Sequence, residues 1–289
     1  MRTAILLTGQ ERQFNRVIGL LRKNLLENNN CTIFLACETN NTLKFLEYFK
    51  GLEVGGIDIR STFQTDEYKS ILQTIKCSDR PALTEDVFAR SRAADNLNWQ
   101  YGYVENGGTI LQYYQLWKAW MLLLEYETKH SMRFDTCVRL RPDSILSKPI
   151  QLDHFFQHPP RDNEIEMRSL GSAYMKNILT NEPPRIKDIY EHPFGTLYTD
   201  RIVWTLGHEQ CWIASRDTFE VFGPMLMYFG CWDSGKPFAF NSETFFHQFC
   251  IQHGIVHWIF LEHDNPLFNC FHPGTDQITE DPWLFSLLR

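Results

Sequence analysis

Apolar residues in this chain come in short uniform runs separated by segments of helical periodicity. Residues 3–8 are such a run, with Ala4-Ile5-Leu6-Leu7 at the centre and Gly9 after it. A run this short and uniform predicts a strand covered on both faces. Phe14, Val17, Ile18, Leu21, Leu25 and Leu26 then recur at helical spacing until Asn28-Asn29-Asn30. Residues 31–37 form a second apolar run, with Glu38 at its carboxyl end. Residues 42–49 read as a helix capped by Gly51, and residues 54–59 as a third strand. This β-α-β-α-β order predicts a parallel sheet with right-handed crossovers.

Residues 60–110 are polar and mixed. They are too long for a plain loop and predict helices, one over 85–99, plus a mobile segment near a site. Residues 109–126 give the clearest helix, apolar at nearly every turn face and so largely buried. Residues 153–190 read as a loop-rich excursion, with Pro-Pro at 159–160 and 183–184. Residues 201–215 predict two strands around Gly207-His208-Glu209, and 218–229 a helix. Asn241-Ser242-Glu243 opens a helix over 244–253, with Ser242 as N-cap and Glu243 in the first turn. Residues 255–261 are the last strand. With no repeat and no sharp linker, one α/β domain is the simplest account.

The segment around which this organises itself is FDTCVRLRPDS, residues 134–144. The period of two puts Cys137, Arg139, Arg141 and Asp143 on one face, and Val138 and Leu140 on the other. Pro142 removes a ladder donor, so pairing ends near it. Two guanidiniums at a strand's carboxyl end suit the oxygens of a diphosphate, and one carboxylate among them suits a hard divalent cation. The competing reading is a structural ion pair of Arg139 or Arg141 with Asp143.

Composition narrows the field. The net charge is −7 without a basic stripe, which argues against nucleic acid as partner. No window approaches the length of a membrane span. The eight cysteines are scattered singly, without a CxxC pair, which predicts buried reduced thiols and a cytoplasmic location rather than a zinc site. The Gly9 turn opening a helix can seat a phosphate on backbone N–H groups, with Arg12 adding charge. Glu262, His263, Asp264, His272 and Asp276 stand among aromatics in the tail.

Four segments together resemble nucleotide-sugar glycosyltransferases of the GT-A fold, of the bacterial and large-virus type with an R-x-R-P-D strand. They are Gly9-Gln10-x-Arg12, Gln112-Tyr113-Tyr114-Gln115-Leu116, the Arg139–Asp143 block after Phe134-Asp135, and Asn241-Ser242-Glu243 with Gly254-Ile255 after it. The resemblance implies a Rossmann-type, mostly parallel mixed sheet flanked by helices. Residues 1–150 would be its nucleotide-binding half and 151–289 its acceptor-binding half. It implies transfer of a sugar from a nucleoside-diphosphate sugar, UDP favoured, to a hydroxyl of a glycan acceptor. Asp143 would stand where the family's last D-x-D acid holds Mn²⁺ or Mg²⁺, with His272 as a further ligand and His263 competing. The family's first D-x-D acid is here Arg141. Glu243 would be the base of an inverting displacement, with Asp200 and Asp233 as runners-up. Gly9, Gln10, Arg12 and Glu38 would line the nucleotide, and Arg139 and Arg141 the diphosphate. Trp204, Trp212 and Trp232 are candidates for stacking on sugar. A phosphoester hydrolase would need more clustered acids for its metals, and a carbohydrate-binding module would not need the Arg-Arg-Asp set.

Overall fold

A computed structural model describes residues 1–76, 108–157, 198–206, 211–226, 246, 249, 250, 253, 255–259 and 267–270. The strands are β1 (Thr3–Gln10), β2 (Cys31–Glu38), β3 (Val54–Arg60), β4 (Thr136–Leu140), β5 (Ser144–Leu146), β6 (Tyr198–Leu206), β7 (Cys211–Ser215), β8 (Ile255–Ile259) and β9 (Leu267–Cys270). Seven of them form one sheet in the order β3-β2-β1-β4-β7-β6-β8. β1 pairs in parallel with β2 and β4, β2 with β3, and β6 with β8. β7 runs antiparallel to both its neighbours, β4 and β6. The described chain is therefore α/β with a mixed, mostly parallel, Rossmann-type sheet. β5 and β9 form a separate antiparallel pair that sets Cys270 opposite Ser144.

The period of two sorts the core into two layers. Ala4, Leu6, Phe34, Ala36 and Cys137 face α4 (Gly108–His130) and α6 (Arg216–Phe222). Ile5, Leu7, Ile33, Leu35, Val138 and Leu140 face α1 (Phe14–Leu21), whose Phe14, Val17, Ile18 and Leu21 are buried. Each such side chain, fully buried, stabilises by about 1.5–3 kcal/mol. β1, β2 and β4 are buried along nearly their whole length because both their faces are covered. The expected split of β4, Cys137 and Arg139 against Val138 and Leu140, is the one observed.

α1 continues as a wider π-helical turn, Arg22–Leu26. From that turn the Asn24 amide donates to the Leu146 carbonyl, and the Asn24 carbonyl accepts from Ile150 N–H at 2.7 Å. Asn29 clasps Ile150 and Leu152 similarly. These bonds hold β5 and the start of α5 (Leu152–Gln157) against the first helix.

Some expectations need correction. α2 (Thr42–Glu47) ends before Gly51, which lies in the turn into β3 rather than at the helix cap. The Asn41 side chain caps its other end, accepting from Lys44 N–H at 3.1 Å. α3 (Asp66–Lys76) is a helix within the polar stretch, and α5 opens the segment expected to be loop. α6 starts two residues before the expected helix, where Ser215 Oγ accepts from Thr218 N–H at 3.1 Å. The helix expected over 85–99 lies outside the described residues.

The chain order reverses beside β1. β2 and β3 add on one side of it, and β4 adds on the other. Open α/β sheets bind ligands outside the carboxyl ends of the strands at such a reversal.

Candidate functional site

The carboxyl ends of β1 and β4 meet at this reversal. Their ladder ends with Leu7 opposite Leu140, which leaves Gly9 and Pro142 face to face. Gly9 has φ +134°, and a Cβ on it would stand 3.2 Å from Pro142 Cδ. Glycine is required there by backbone conformation and by the proline ring together.

Beyond Leu140 the strand gives way to a turn. Ser144 N–H donates to the Arg141 carbonyl at 3.1 Å, closing four residues with Pro142 in the second position, where its fixed φ is favoured. The turn folds the Asp143 carboxylate back onto its own Arg141. Arg141 Nε donates to Oδ1 at 3.0 Å and Nη2 to Oδ2 at 2.8 Å. Strand alternation is therefore not what joins Arg141 to Asp143; a β-turn does it. The structural ion pair weighed for this segment exists, between Arg141 and Asp143.

A third member comes from the turn after β1. Arg12 Nη1 donates to Asp143 Oδ2 across 131 residues of sequence. Arg12 sits at φ +44°, a left-handed conformation that costs a non-glycine residue about 1 kcal/mol or more. Its neighbour Glu11 is anchored three ways. Glu11 N–H donates to the Glu38 carbonyl at 2.8 Å, and its own carbonyl accepts from Phe14 N–H at 2.9 Å. Its carboxylate accepts from Thr39 Oγ1. These bonds hold the turn that aims Arg12 at β4.

Asp143 is 2% exposed in its side chain, whereas Arg12 and Arg141 are 23% and 22% exposed. Two guanidiniums thus share one buried carboxylate, and both reach the solvent side. Arg139 differs from both. It is 2% exposed, donates to Thr8 Oγ1 and Gln112 Oε1 at 3.2 Å each, and lies over the Trp212 ring. It is a core cation beneath the strand ends, not a group presented to a ligand.

Gln10 and Glu38 make a second contact between strand ends, Gln10 Nε2 to Glu38 Oε2 at 2.9 Å. Glu38 Oε1 also accepts from Phe63 N–H at 2.6 Å. Glu38 is therefore a latch between β1, β2 and the segment after β3, buried at the edge of the site. Trp204 and Trp212 are buried and packed on other aromatics, Trp204 against Phe156 and Trp212 against Phe246, so neither stacks on a sugar. Cys37 and Cys211, also near these ends, are no nucleophiles at neutral pH. Burial raises both thiols, Cys211 to about 12 despite the opposing charge of Arg139.

A divalent cation fits the described residues poorly. Both Asp143 oxygens already accept from guanidiniums. Among the described residues no group of three or more His, Cys, Asp or Glu could hold a metal ion. Glu243, His263, His272, Asp233 and Trp232 lie outside the described residues; Asp200 lies in β6. No described helix is long and apolar enough to cross a membrane.

Sequence reasoning found Arg141 and Asp143 but missed their bond to Arg12, and missed Thr8 and Gln112 as partners of Arg139. The turn chemistry of Arg-Pro-Asp-Ser was the one available signal. The chain matches no protein-family model, and no curated protein matches it.

Proposed function

We propose that this chain is a GT-A-type glycosyltransferase. It moves a sugar from a nucleoside-diphosphate sugar, UDP favoured, to a hydroxyl of a glycan acceptor, and acts in the cytoplasm. The observation that carries the reading is the Arg12–Asp143–Arg141 cluster at the reversal of strand order, with both guanidiniums partly exposed. A partly exposed pair of guanidinium forks suits phosphate oxygens, and the reversal is where an α/β sheet takes a ligand.

The reaction needs one new bond and one broken bond. The acceptor oxygen bonds to the anomeric carbon as the bond from that carbon to the phosphate oxygen breaks. The diphosphate leaves with the electron pair, and the acceptor proton passes to a carboxylate. Glu243 is assigned that role on sequence grounds, and a single displacement at this carbon inverts it. Negative charge grows on the leaving phosphate, so bonds from Arg12 and Arg141 strengthen in the transition state. Arg139 adds a buried positive charge beneath the same strand ends.

The test is turnover. The chain is incubated with UDP-, GDP-, CMP- and dTDP-sugars and an oligosaccharide mixture, and products are read by mass spectrometry. The reading expects one free nucleotide and an acceptor heavier by one sugar, both lost in Glu243→Gln. Phosphate release from simple esters without sugar transfer would replace it with a hydrolase. Glycan binding without turnover would replace it with a carbohydrate-binding module.

A further inference from the structure

We infer that Gln10 reads the nucleobase of the donor, and that Glu38 is the positioning residue that fixes which way round its amide is presented. The inference rests on the nucleotide-sugar reading above and assigns the residue of that site that selects the nucleotide.

The carboxylate of Glu38 carries it. Gln10 is the last residue of β1 and lies directly opposite Glu38, the last residue of β2. Glu38 is buried and Gln10 is exposed. A primary amide has an accepting oxygen and a donating nitrogen at nearly equal reach, so its partners set its orientation. A carboxylate can only accept. The 2.9 Å bond between Gln10 and Glu38 Oε2 therefore takes Gln10 Nε2, and the amide cannot turn over without losing it. Glu38 cannot turn to follow, because its Oε1 accepts from Phe63 N–H at 2.6 Å. One N–H and the oxygen of Gln10 remain, side by side on an exposed side chain, and they meet no other partner among the described residues. A nucleobase edge presents donors and acceptors in adjacent positions, so an amide of fixed orientation makes two bonds to it and distinguishes one order from the reverse. The placement suits such a ligand. β2 and β4 flank β1 on opposite sides, and neighbouring strands lie about 4.8 Å apart, so the carboxyl ends of β2 and β4 stand about 10 Å apart. A base held at Gln10 and phosphate oxygens taken at Arg12 lay an extended nucleotide across the end of β1. Glu38→Gln preserves the shape and reverses the orientation. Phe63 N–H still requires an acceptor, so the new amide gives it Oε1 and turns Nε2 toward Gln10. Gln10 then answers with its oxygen, which inverts the order of donor and acceptor offered to the base.

The experiment is calorimetric titration of the full chain with UDP, GDP, CDP and ADP, in Mn²⁺ throughout. These four share ribose and diphosphate and differ only in the base. The expected result is that the parent prefers one of them, and that Gln10→Leu weakens that nucleotide about tenfold while affecting the others less. Glu38→Gln should weaken the same nucleotide and change the order of preference among the four, which a merely structural role would not do. Gln10→Leu alters an exposed side chain, so it decides the result should Glu38→Gln not fold. Equal affinity of the parent for all four overturns the inference, as does an unchanged preference in Gln10→Leu. An equal loss for all four in Gln10→Leu also overturns it, because the contact then falls on the ribose or the phosphates. The parent's order kept in Glu38→Gln overturns the positioning role of Glu38. All of these outcomes leave the nucleotide-sugar reading standing. No binding of any nucleotide by the parent overturns the reading and the inference together.

Discussion

β4 carries an arginine–carboxylate cluster at each end, and the two are built for different purposes. At its amino end Glu127 of α4 and Arg216 of α6 pair one to one. Arg216 Nε and Nη2 donate to the two oxygens at 2.9 and 2.7 Å, and Phe134 N–H adds a third bond at 3.0 Å. The Arg216 guanidinium lies 4.3 Å from the Trp120 ring centroid, and the two side chains are only 5% and 10% exposed. This pair is balanced and closed. It ties the last turn of α4 to the first turn of α6 under the start of β4. At the carboxyl end the count is two to one, the cations reach water, and the backbone is strained. The amino-end cluster is charge-balanced and buried, with only Arg216 Nη1 left without a hydrogen-bond partner among the described residues. The carboxyl-end cluster instead sets two partly exposed guanidiniums on one buried carboxylate.

The comparison breaks most visibly at the closed end. Glu127→Ala leaves Arg216 buried without its counter-charge and should cost about 3–5 kcal/mol by urea denaturation. The folded fraction should respond to nucleotide as the parent does. Replacing both partners with apolar residues, Glu127→Met with Arg216→Leu, should recover most of that loss.

Gly9→Val tests the support of the open end. It forces a β-branched side chain at φ +134° against Pro142 and should cost about 1–3 kcal/mol. Nucleotide affinity should fall as well, because the same contact aligns the ends of β1 and β4.

Arg12→Gly separates the two kinds of cluster most cleanly. It removes a partly exposed ion pair, worth about 0–1 kcal/mol, and relieves about 1 kcal/mol of left-handed strain. Unfolding should therefore show no loss, or a small gain, while the nucleotide response disappears. A clear destabilisation would place Arg12 with Arg216 as a structural cation.

The smallest effect belongs to an exposed pair that serves neither purpose. Glu67 is held below its ordinary range by hydrogen bonds from Lys118 and Tyr114. A carboxylate with a depressed folded pKa stabilises above its unfolded pKa, near 4.5, and loses that contribution as pH falls through the folded value. Lys118→Met should therefore lower Tm slightly at neutral pH, with the difference closing in acid. Solvent screening keeps this effect below the other three.

The sheet was legible in the sequence because its strands are buried on both faces. Continuous apolar runs mark β1, β2 and β7, and in β4 period two sorts Arg139 from Val138 and Leu140 correctly. α3 is one of the helices expected within 60–110, but its bounds are not legible because DEYKSILQTIK presents a mostly polar sequence; α5 escaped notice because Leu152 is the one buried residue in its turn and a half. β9, four residues long, has too little pattern to read and is defined by pairing with β5. The site was legible only in part. Arg141 and Asp143 lie two residues apart, and their turn has a local signature. The Arg12–Asp143 bond joins residues 131 apart, and nothing in either neighbourhood encodes it. Arg139 looked equivalent to Arg141 because alternation reports a face and not a depth. One guanidinium is buried under the sheet's end and the other stands at its rim.

The central claim, that the carboxyl end of β4 is a diphosphate site and the amino end is not, is tested most directly by thermal unfolding with UDP, GDP, CMP and dTDP. The comparison is between the parent chain and Arg12→Ala/Arg141→Ala. A ligand at 100-fold above its Kd stabilises by about 2.7 kcal/mol. The account predicts such a rise with one diphosphate in the parent and none in the double variant, each read against its own ligand-free Tm, which falls in the double variant because Asp143 is left buried without these counter-charges. No rise with any nucleotide, or an equal rise in the double variant, would contradict it.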